Sequence, residues 1–278
     1  MISNSKIAVL LTCFNRKDKT LACLKSLFDL NTKLDVYLVD DGSTDGTTAA
    51  VEKKFPNIVV IQGNGELFWN RGMHLAWEHA SKLEYDFYIW LNDDGELYSD
   101  GLKELFNCSK ELSNEAIISG VIENKEATKT LYGGTDSFKK TISANGQLNP
   151  ILNMNGNVVL IPKYVFNVLG NLDPIFHHDL GDVDYGLRAR KNNIGVFTSR
   201  KPVASGDENN ISRMRKNNIG IVKRFKQLYS PLGANPFINF YFRKRHYGIL
   251  DACIYFNFQH ILNLIPDKLN TLIFKDKY

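Results

Sequence analysis

The stretch Val36-Tyr37-Leu38-Val39-Asp40-Asp41-Gly42-Ser43-Thr44-Asp45 decides the fold. Four consecutive apolar residues broken off by a carboxylate-rich turn read as a parallel strand buried on both faces. Toward the N-terminus, Leu21, Leu24, Leu27 and Phe28 recur at helical spacing within residues 19–30, and Ile7-Ala8-Val9-Leu10-Leu11 is a second apolar run, closed by Thr12-Cys13-Phe14-Asn15-Arg16. The order is strand, helix, strand. Toward the C-terminus, Ser43-Thr44-Asp45 reads as the N-cap of an Ala-rich helix ending near Lys54. A strand at 58–61, a Gly-rich loop, a helix from about Gly72 to Leu83 and a strand at 87–91, stopping at Asn92-Asp93-Asp94, complete the pattern. Strands alternating with crossover helices predict a doubly wound α/β unit whose ligand sits at the C-terminal ends of the strands.

The second half is less regular. Strands are expected at 117–122 and 158–161, a hairpin within 132–146, a short helix at 183–191, and one or two amphipathic helices over 237–264. The chain therefore divides into residues 1–205, with halves 1–100 and 101–205, and a basic, aromatic, mostly helical extension at 206–278.

Composition sets the outer limits. With 278 residues, 44% hydrophobic and 23% charged, the chain has the material for a packed core and is not a disordered composition. Four cysteines without a C-x-x-C pair argue against a zinc knuckle or a disulfide framework and fit a reducing cytoplasm. No signal peptide is visible, and no apolar run is long enough to cross a bilayer. Charge is uneven: from Ile211 onward twelve Lys and Arg face three Asp, a local net of +9, whereas the preceding 210 residues carry −5. A basic tail on an acidic body suggests an anionic partner.

Three segments carry candidate chemistry. The clusters closing the first, second and fourth strands converge in an open α/β sheet, so at least four carboxylates crowd one crevice and need a cation or donors; hard carboxylate oxygens suit Mg²⁺ or Mn²⁺. The alternative is that they are ordinary turn residues. The loop Gly63-Asn64-Gly65-Glu66-Leu67-Phe68-Trp69-Asn70-Arg71-Gly72 enters a helix, where free N–H groups and Arg71 would meet a diphosphate. It is neither a Walker A loop nor a dinucleotide fingerprint. In His177-His178-Asp179-Leu180-Gly181-Asp182-Val183-Asp184-Tyr185-Gly186-Leu187-Arg188, Asp184 and Arg188 stand at i, i+4 and would pair, leaving Asp182 either as a helix cap or as a general base for a hydroxyl nucleophile. His177 and His178 read as site-lining or structural.

In type, order and approximate spacing these segments resemble the motifs of inverting family 2 glycosyltransferases with a GT-A fold, over residues 6–205, closest to the rhamnosyltransferase-like branch that builds bacterial surface polysaccharides. The resemblance implies a Rossmann-like mixed sheet flanked by helices, a nucleotide-diphosphate sugar donor such as a UDP- or dTDP-sugar, a divalent metal and single displacement with inversion. It puts Thr12, Asn15 and Arg16 around the base and ribose, Asp41 on the base, and Asn70 and Arg71 in the donor loop. Asp93 and Asp94 match the D-x-D region with Asp94 as metal ligand, Asp182 matches the catalytic base, and Arg188 the helix-borne arginine of the nucleotide-sugar site. His177, His178, Trp69 and Asp184 would line the acceptor side. This sequence departs from the pattern at Asn92 and Gly181, where acidic residues are common, at Asp207, where a His is frequent, and at Phe68 and Trp69, where small residues are usual.

The implied acceptor is a hydroxyl of a glycan or lipid-linked oligosaccharide at the cytoplasmic face of the membrane. For the tail, one reading docks Arg224, Lys226, Arg243, Lys244 and Arg245 on anionic lipid or on a lipid-linked diphosphate; another packs it as a helical extension, and its aromatic residues would serve a homodimer as readily. Nucleic acid is not expected, because no binding module accompanies the basic residues. Competing readings are a non-catalytic nucleotide-sugar or glycan binder and a sugar nucleotidyltransferase, which wants a Gly-rich loop after the first strand.

Overall fold

The computed structural model describes residues 5–208 and 213–274. Two compact units share the chain: Met1–Pro174 with Gly181–Glu208, and Ile175–Leu180 with Asn209–Tyr278.

The first unit runs β1 (Ile7–Cys13), α1 (Lys17–Phe28), β2 (Asp35–Asp40), α2 (Thr47–Lys54), β3 (Val59–Gln62), α3 (Phe68–Ala80), β4 (Phe87–Leu91), β5 (Glu96–Leu97), α4 (Gly101–Glu111), β6 (Ile117–Asn124), β7 (Thr130–Tyr132), β8 (Gly134–Thr135), β9 (Asn153–Met154), β10 (Val158–Pro162), α5 (Lys163–Leu169), α6 (Gly181–Lys191) and β11 (Val196–Gly206). The sheet order is β3-β2-β1-β4-β10-β6-β11-β5, with β7 on β6 and a separate β8-β9 ribbon. β1 pairs in parallel with β2 and β4, while β10 runs antiparallel to both β4 and β6. Reversal of β10 has a consequence for the site. Its first residue, Val158, pairs with Leu91 at the end of β4, so the turn Asn155-Gly156-Asn157 joins the edge where the parallel strands end.

The apolar runs of β1, β2 and β4 are strands with both faces covered, whereas β3 is half-exposed. Along β1, Val9, Leu11 and Cys13 enter one core with Leu24, Leu27 and Leu105, and Ala8 and Leu10 enter the other with Met73, Trp77 and Tyr185. That is the period of two that a pleated strand imposes. Helix α3 presents Met73, Ala76, Trp77 and Ala80 to the sheet at i, i+3, i+4 and i+7. It lies close on β1 because Gly72 has no side chain: a Cβ there would fall 2.2 Å from the Thr12 hydroxyl oxygen.

Some expectations are corrected. Helix α3 begins at Phe68, a turn before Gly72, because a distant carboxylate, Asp41, takes the N–H groups that open it. The hairpin expected within 132–146 does not form as one unit; β7 pairs with β6 and β8 with β9, leaving a lone bridge between Thr135 and Thr141. Helix α4 went unread although Leu102, Leu105, Phe106 and Ser109 are buried at helical spacing. The long strand β11 was hidden by Arg200-Lys201-Pro202, where the pairing register shifts.

The second unit holds α7 (Ile221–Leu228), α8 (Pro236–Tyr247), α9 (Ile249–Leu264) and α10 (Asp267–Phe274). The region 237–264 is two helices, broken at Gly248, whose φ of 97° only glycine adopts without strain. Asn235 caps α8 by accepting from the N–H groups of Phe237 and Ile238. The tail arginines are spent internally, which corrects the expectation that they form a docking surface. Arg224 is buried and donates to Asp267 at 2.6 Å, together with Arg215; Arg243 grips Asp251 with two bonds and stacks on Tyr255; Arg245 stacks on Tyr241. The flanking residues Lys275, Asp276 and Lys277 lie outside the described residues. Among those described, no helix is long and apolar enough to cross a membrane.

Candidate functional site

Four chain segments meet where the parallel strands end. Beyond β1, Asn15 adopts φ 51°, a left-handed conformation Asn tolerates, and its side-chain oxygen accepts from the Thr44 N–H at 2.7 Å while its own N–H donates to the Ser43 hydroxyl. This clips the loops after β1 and β2 together. Arg16 then reaches across the edge to both carboxylates beyond β4, with Nη1 3.1 Å from Asp93 and Nη2 2.6 Å from Asp94.

Asp93 is 5% exposed, one of its oxygens is buried with no hydrogen-bond partner, and burial pushes its carboxyl up to about 7; Arg16 opposes that rise and Asp94 adds to it. Two adjacent carboxylates, one with an orphaned oxygen, facing a single guanidinium, are a donor set that suits a hard divalent cation. Among the described residues no cluster of three or more His, Cys, Asp and Glu side chains forms a complete metal cage. A cation there would be completed by oxygens of a bound diphosphate, as Mg²⁺ sites commonly are. Asp207, beyond β11, pairs with Lys19 at 2.7 Å, and that lysine holds its carboxyl below the usual range.

The turn before β10 links this centre to α6. The Trp69 indole N–H donates to Asn92 at 2.6 Å, and the Asn92 side chain bonds that of Asn157. Next to it, the Gly156 N–H donates to Asp182 Oδ2 at 2.9 Å, while Val183 N–H donates to Oδ1 at 2.8 Å. Two backbone donors thus fix the Asp182 carboxylate at the start of α6. A side chain at Gly156 would strike the Trp69 ring, with its Cβ 2.4 Å away. Asn92 thus ties Trp69 to the β10 turn, and a Cβ at Gly181 would fall 1.7 Å from the Asn70 side-chain oxygen. The Trp69 ring packs edge-on against Trp90.

Several residues assigned by resemblance have other work. Asp41 is 3% exposed, and its two oxygens accept from the N–H groups of Gly65, Leu67 and Phe68 at 2.8–3.0 Å, so it latches the donor loop. Phe68, at φ 58°, is held there in a conformation non-glycine residues seldom adopt. Asn70 is fully buried and donates to the Asp173 carbonyl; Arg71 donates to that of Pro174; Thr12 packs under Gly72. Asp184 and Arg188 pair as the spacing predicts, at 2.9 Å, but Asp184 is 0% exposed and the Arg188 guanidinium also holds the carbonyls of Leu169 and Asn171. His177 and His178 belong to the segment Ile175–Leu180 that groups with the C-terminal helices; burial and then the charge of Arg213 push His178 down to about 4, leaving it neutral at pH 7. The Asn155-Gly156-Asn157 turn was missed by sequence reasoning, although its composition marks a tight turn before a buried strand.

The profile of Glycosyl transferase family 2 matches residues 8–164. Poly(ribitol-phosphate) β-N-acetylglucosaminyltransferase TarP of Staphylococcus aureus is 29% identical over 123 residues, 41% of this chain and 36% of TarP, so the match spans about a third of that relative. Residues 1–349 of S. aureus TarS superpose with a TM-score of 0.59 at 15% identity, covering 98% of this chain and 75% of theirs. The mannosyltransferase PcManGT of Pyrobaculum calidifontis, solved with GDP-Man and Mn²⁺, gives 0.57 at 13% identity over 96% and 84%. The sheet order, the strand-end carboxylates and the profile over more than half of the chain converge: the chain has the GT-A fold and belongs to glycosyl transferase family 2.

Proposed function

We propose that the chain is an inverting, metal-dependent transferase that moves a sugar from a UDP- or dTDP-sugar to a hydroxyl of a glycan or lipid-linked glycan, in bacterial surface polysaccharide synthesis on the cytoplasmic side of the membrane. The observation that carries this reading is the juxtaposition of the Arg16, Asp93 and Asp94 cluster with Asp182, joined through Asn92, Asn157 and Gly156. The GDP-Man and Mn²⁺ in the PcManGT complex support a nucleotide-sugar donor and a divalent cation.

In this reading Asp94, with Asp93, would hold Mg²⁺ or Mn²⁺, which would neutralise charge on the leaving diphosphate. Arg16, which bridges both carboxylates, supplies a guanidinium for the diphosphate. Asp182 takes the proton from the acceptor hydroxyl as it attacks the face opposite the departing group; the N–H groups of Gly156 and Val183 keep its carboxylate from rotating away. The latched loop from Gly63 to Phe68 and the Trp69 ring exclude water from the donor side.

Thermal melting with UDP-, dTDP- and GDP-sugars, each with and without Mn²⁺ or Mg²⁺, tests the assignment. One nucleotide series should raise Tm only with metal, and Asp94→Ala should abolish the rise. Asp182→Asn should keep it while slowing transfer about 10²- to 10⁴-fold. Unchanged turnover in Asp182→Asn would point instead to a binding protein.

A further inference from the structure

The C-terminal helical unit buries polar side chains and exposes apolar ones. Beside Leu228, Phe242 and Leu262, its interior holds Arg215 and Arg224 at 2% and 7% exposure and Gln259 and Asn263 at 0%. These side chains donate to backbone carbonyls: Arg215 and Arg224 to that of Ile265, Gln259 to that of Ala234 and Asn263 to that of Met214. On α9, Leu250, Ile254, Ile261 and Leu264 are 77%, 70%, 59% and 56% exposed, and on α10 Leu272 and Ile273 are 77% and 54% exposed. At 100° per residue the four α9 side chains fall within about 80° of one another, a single stripe crossed by Asn257. An isolated exposed leucine needs no explanation, but four large aliphatic side chains on one face do.

Charge says what covers it. All three carboxylates of the unit's described residues are taken by arginines: Asp179 by Arg213, Asp251 by Arg243, Asp267 by Arg215 and Arg224. Among the described residues, Lys216, Lys223, Lys226, Lys244 and Lys268 have no carboxylate in ion-pair reach. A second copy of the chain in a two-fold interface would set these lysines against each other. A surface of phosphates would neutralise them.

We propose that this face docks on an anionic phospholipid bilayer. The stripe of α9 and the outer side of α10 lie in the plane of the interface, their Leu and Ile side chains entering the acyl boundary and the five lysines meeting headgroup phosphates. The inference concerns the C-terminal unit and stands apart from the donor chemistry proposed above.

Flotation of the full chain with phosphatidylcholine vesicles, with and without phosphatidylglycerol, tests it. The chain should float with the anionic vesicles, less so at high salt, and stay behind with the neutral ones. Leu250→Gln with Ile254→Gln should weaken binding about tenfold or more, as should Lys223→Gln, Lys226→Gln and Lys268→Gln together. Leu83→Gln, at an exposed leucine of the first unit, should change nothing. All variants should melt like the parent. The proposal is overturned if the parent floats with neither vesicle, if the Leu250 and Ile254 variant binds as the parent does, or if light scattering shows a parent dimer that this variant converts to monomer.

Discussion

The two units differ in what they bury. In the first, Trp77, Trp90, Leu38 and Ile89 are sealed between sheet and helices. In the second, Arg215, Arg224, Gln259 and Asn263 are sealed in beside Leu228, Phe242 and Leu262, while leucines and isoleucines of α9 and α10 face out. A core of the first kind is stabilised by removing apolar surface from water. One that also encloses charged and amide side chains depends on their polar bonds, because a buried group left without a partner costs more than a satisfied one contributes.

The contrast makes the second unit the more sensitive to one polar change. Arg215→Ala deletes the donors to Leu262, Ile265 and Asp267, and the helical unit should loosen before the sheet, with a drop of roughly 10 °C in its unfolding and early proteolysis after residue 208. A single transition with unchanged midpoint would show that its interior is not held by polar bonds.

The first unit should respond to volume. Gly156→Ala drives a methyl into the Trp69 ring and should cost about 1–3 kcal/mol in denaturant unfolding, with Trp69 fluorescence shifting as its bond to Asn92 breaks. A neutral result would mean that the Trp69 wall is not close-packed.

The smallest effect is expected where the first unit breaks its own rule by burying a charge. The carboxyl of Asp93 is raised above its unfolded value, so the folded chain binds that proton more tightly. Without ligands, the contribution of Asp93 to stability is fully present below about pH 4 and is lost as pH rises through about 7. Asp93→Asn should remove that contribution to the pH dependence and stabilise the ligand-free protein at pH 7.5 by ~1 kcal/mol, seen as a urea midpoint that falls less between pH 5 and 8 than the parent's.

What the sequence discloses follows the same division. Strands β1, β2 and β4 and their polar ends are legible because each is a local pattern, an apolar run closed by a carboxylate or an Asn. The pairing of Asp184 with Arg188 is legible because i, i+4 is a local distance. The latch on Asp41, the seat of Asn70 against Gly181 and the bond from Gly156 to Asp182 are not, since each joins segments 24 or more residues apart and arises from where β10 reverses in the sheet. The tail misleads for a related reason. Composition counts twelve cations but not their partners, so arginines that are internal struts were indistinguishable from lysines that are free.

The latch on Asp41 bears on how such a site changes its preference. Because one buried carboxylate dictates the backbone course from Gly65 to Phe68, the side chains of Glu66, Phe68 and Trp69 are carried on a frame whose shape does not depend on them. On the proposed function, substitutions at these three positions would retune which sugar is admitted while the ordering cost of the loop, met on folding, stays constant. Replacing Asp41 instead would leave those side chains in place chemically and undefined in position, so that selectivity would fall for every donor at once.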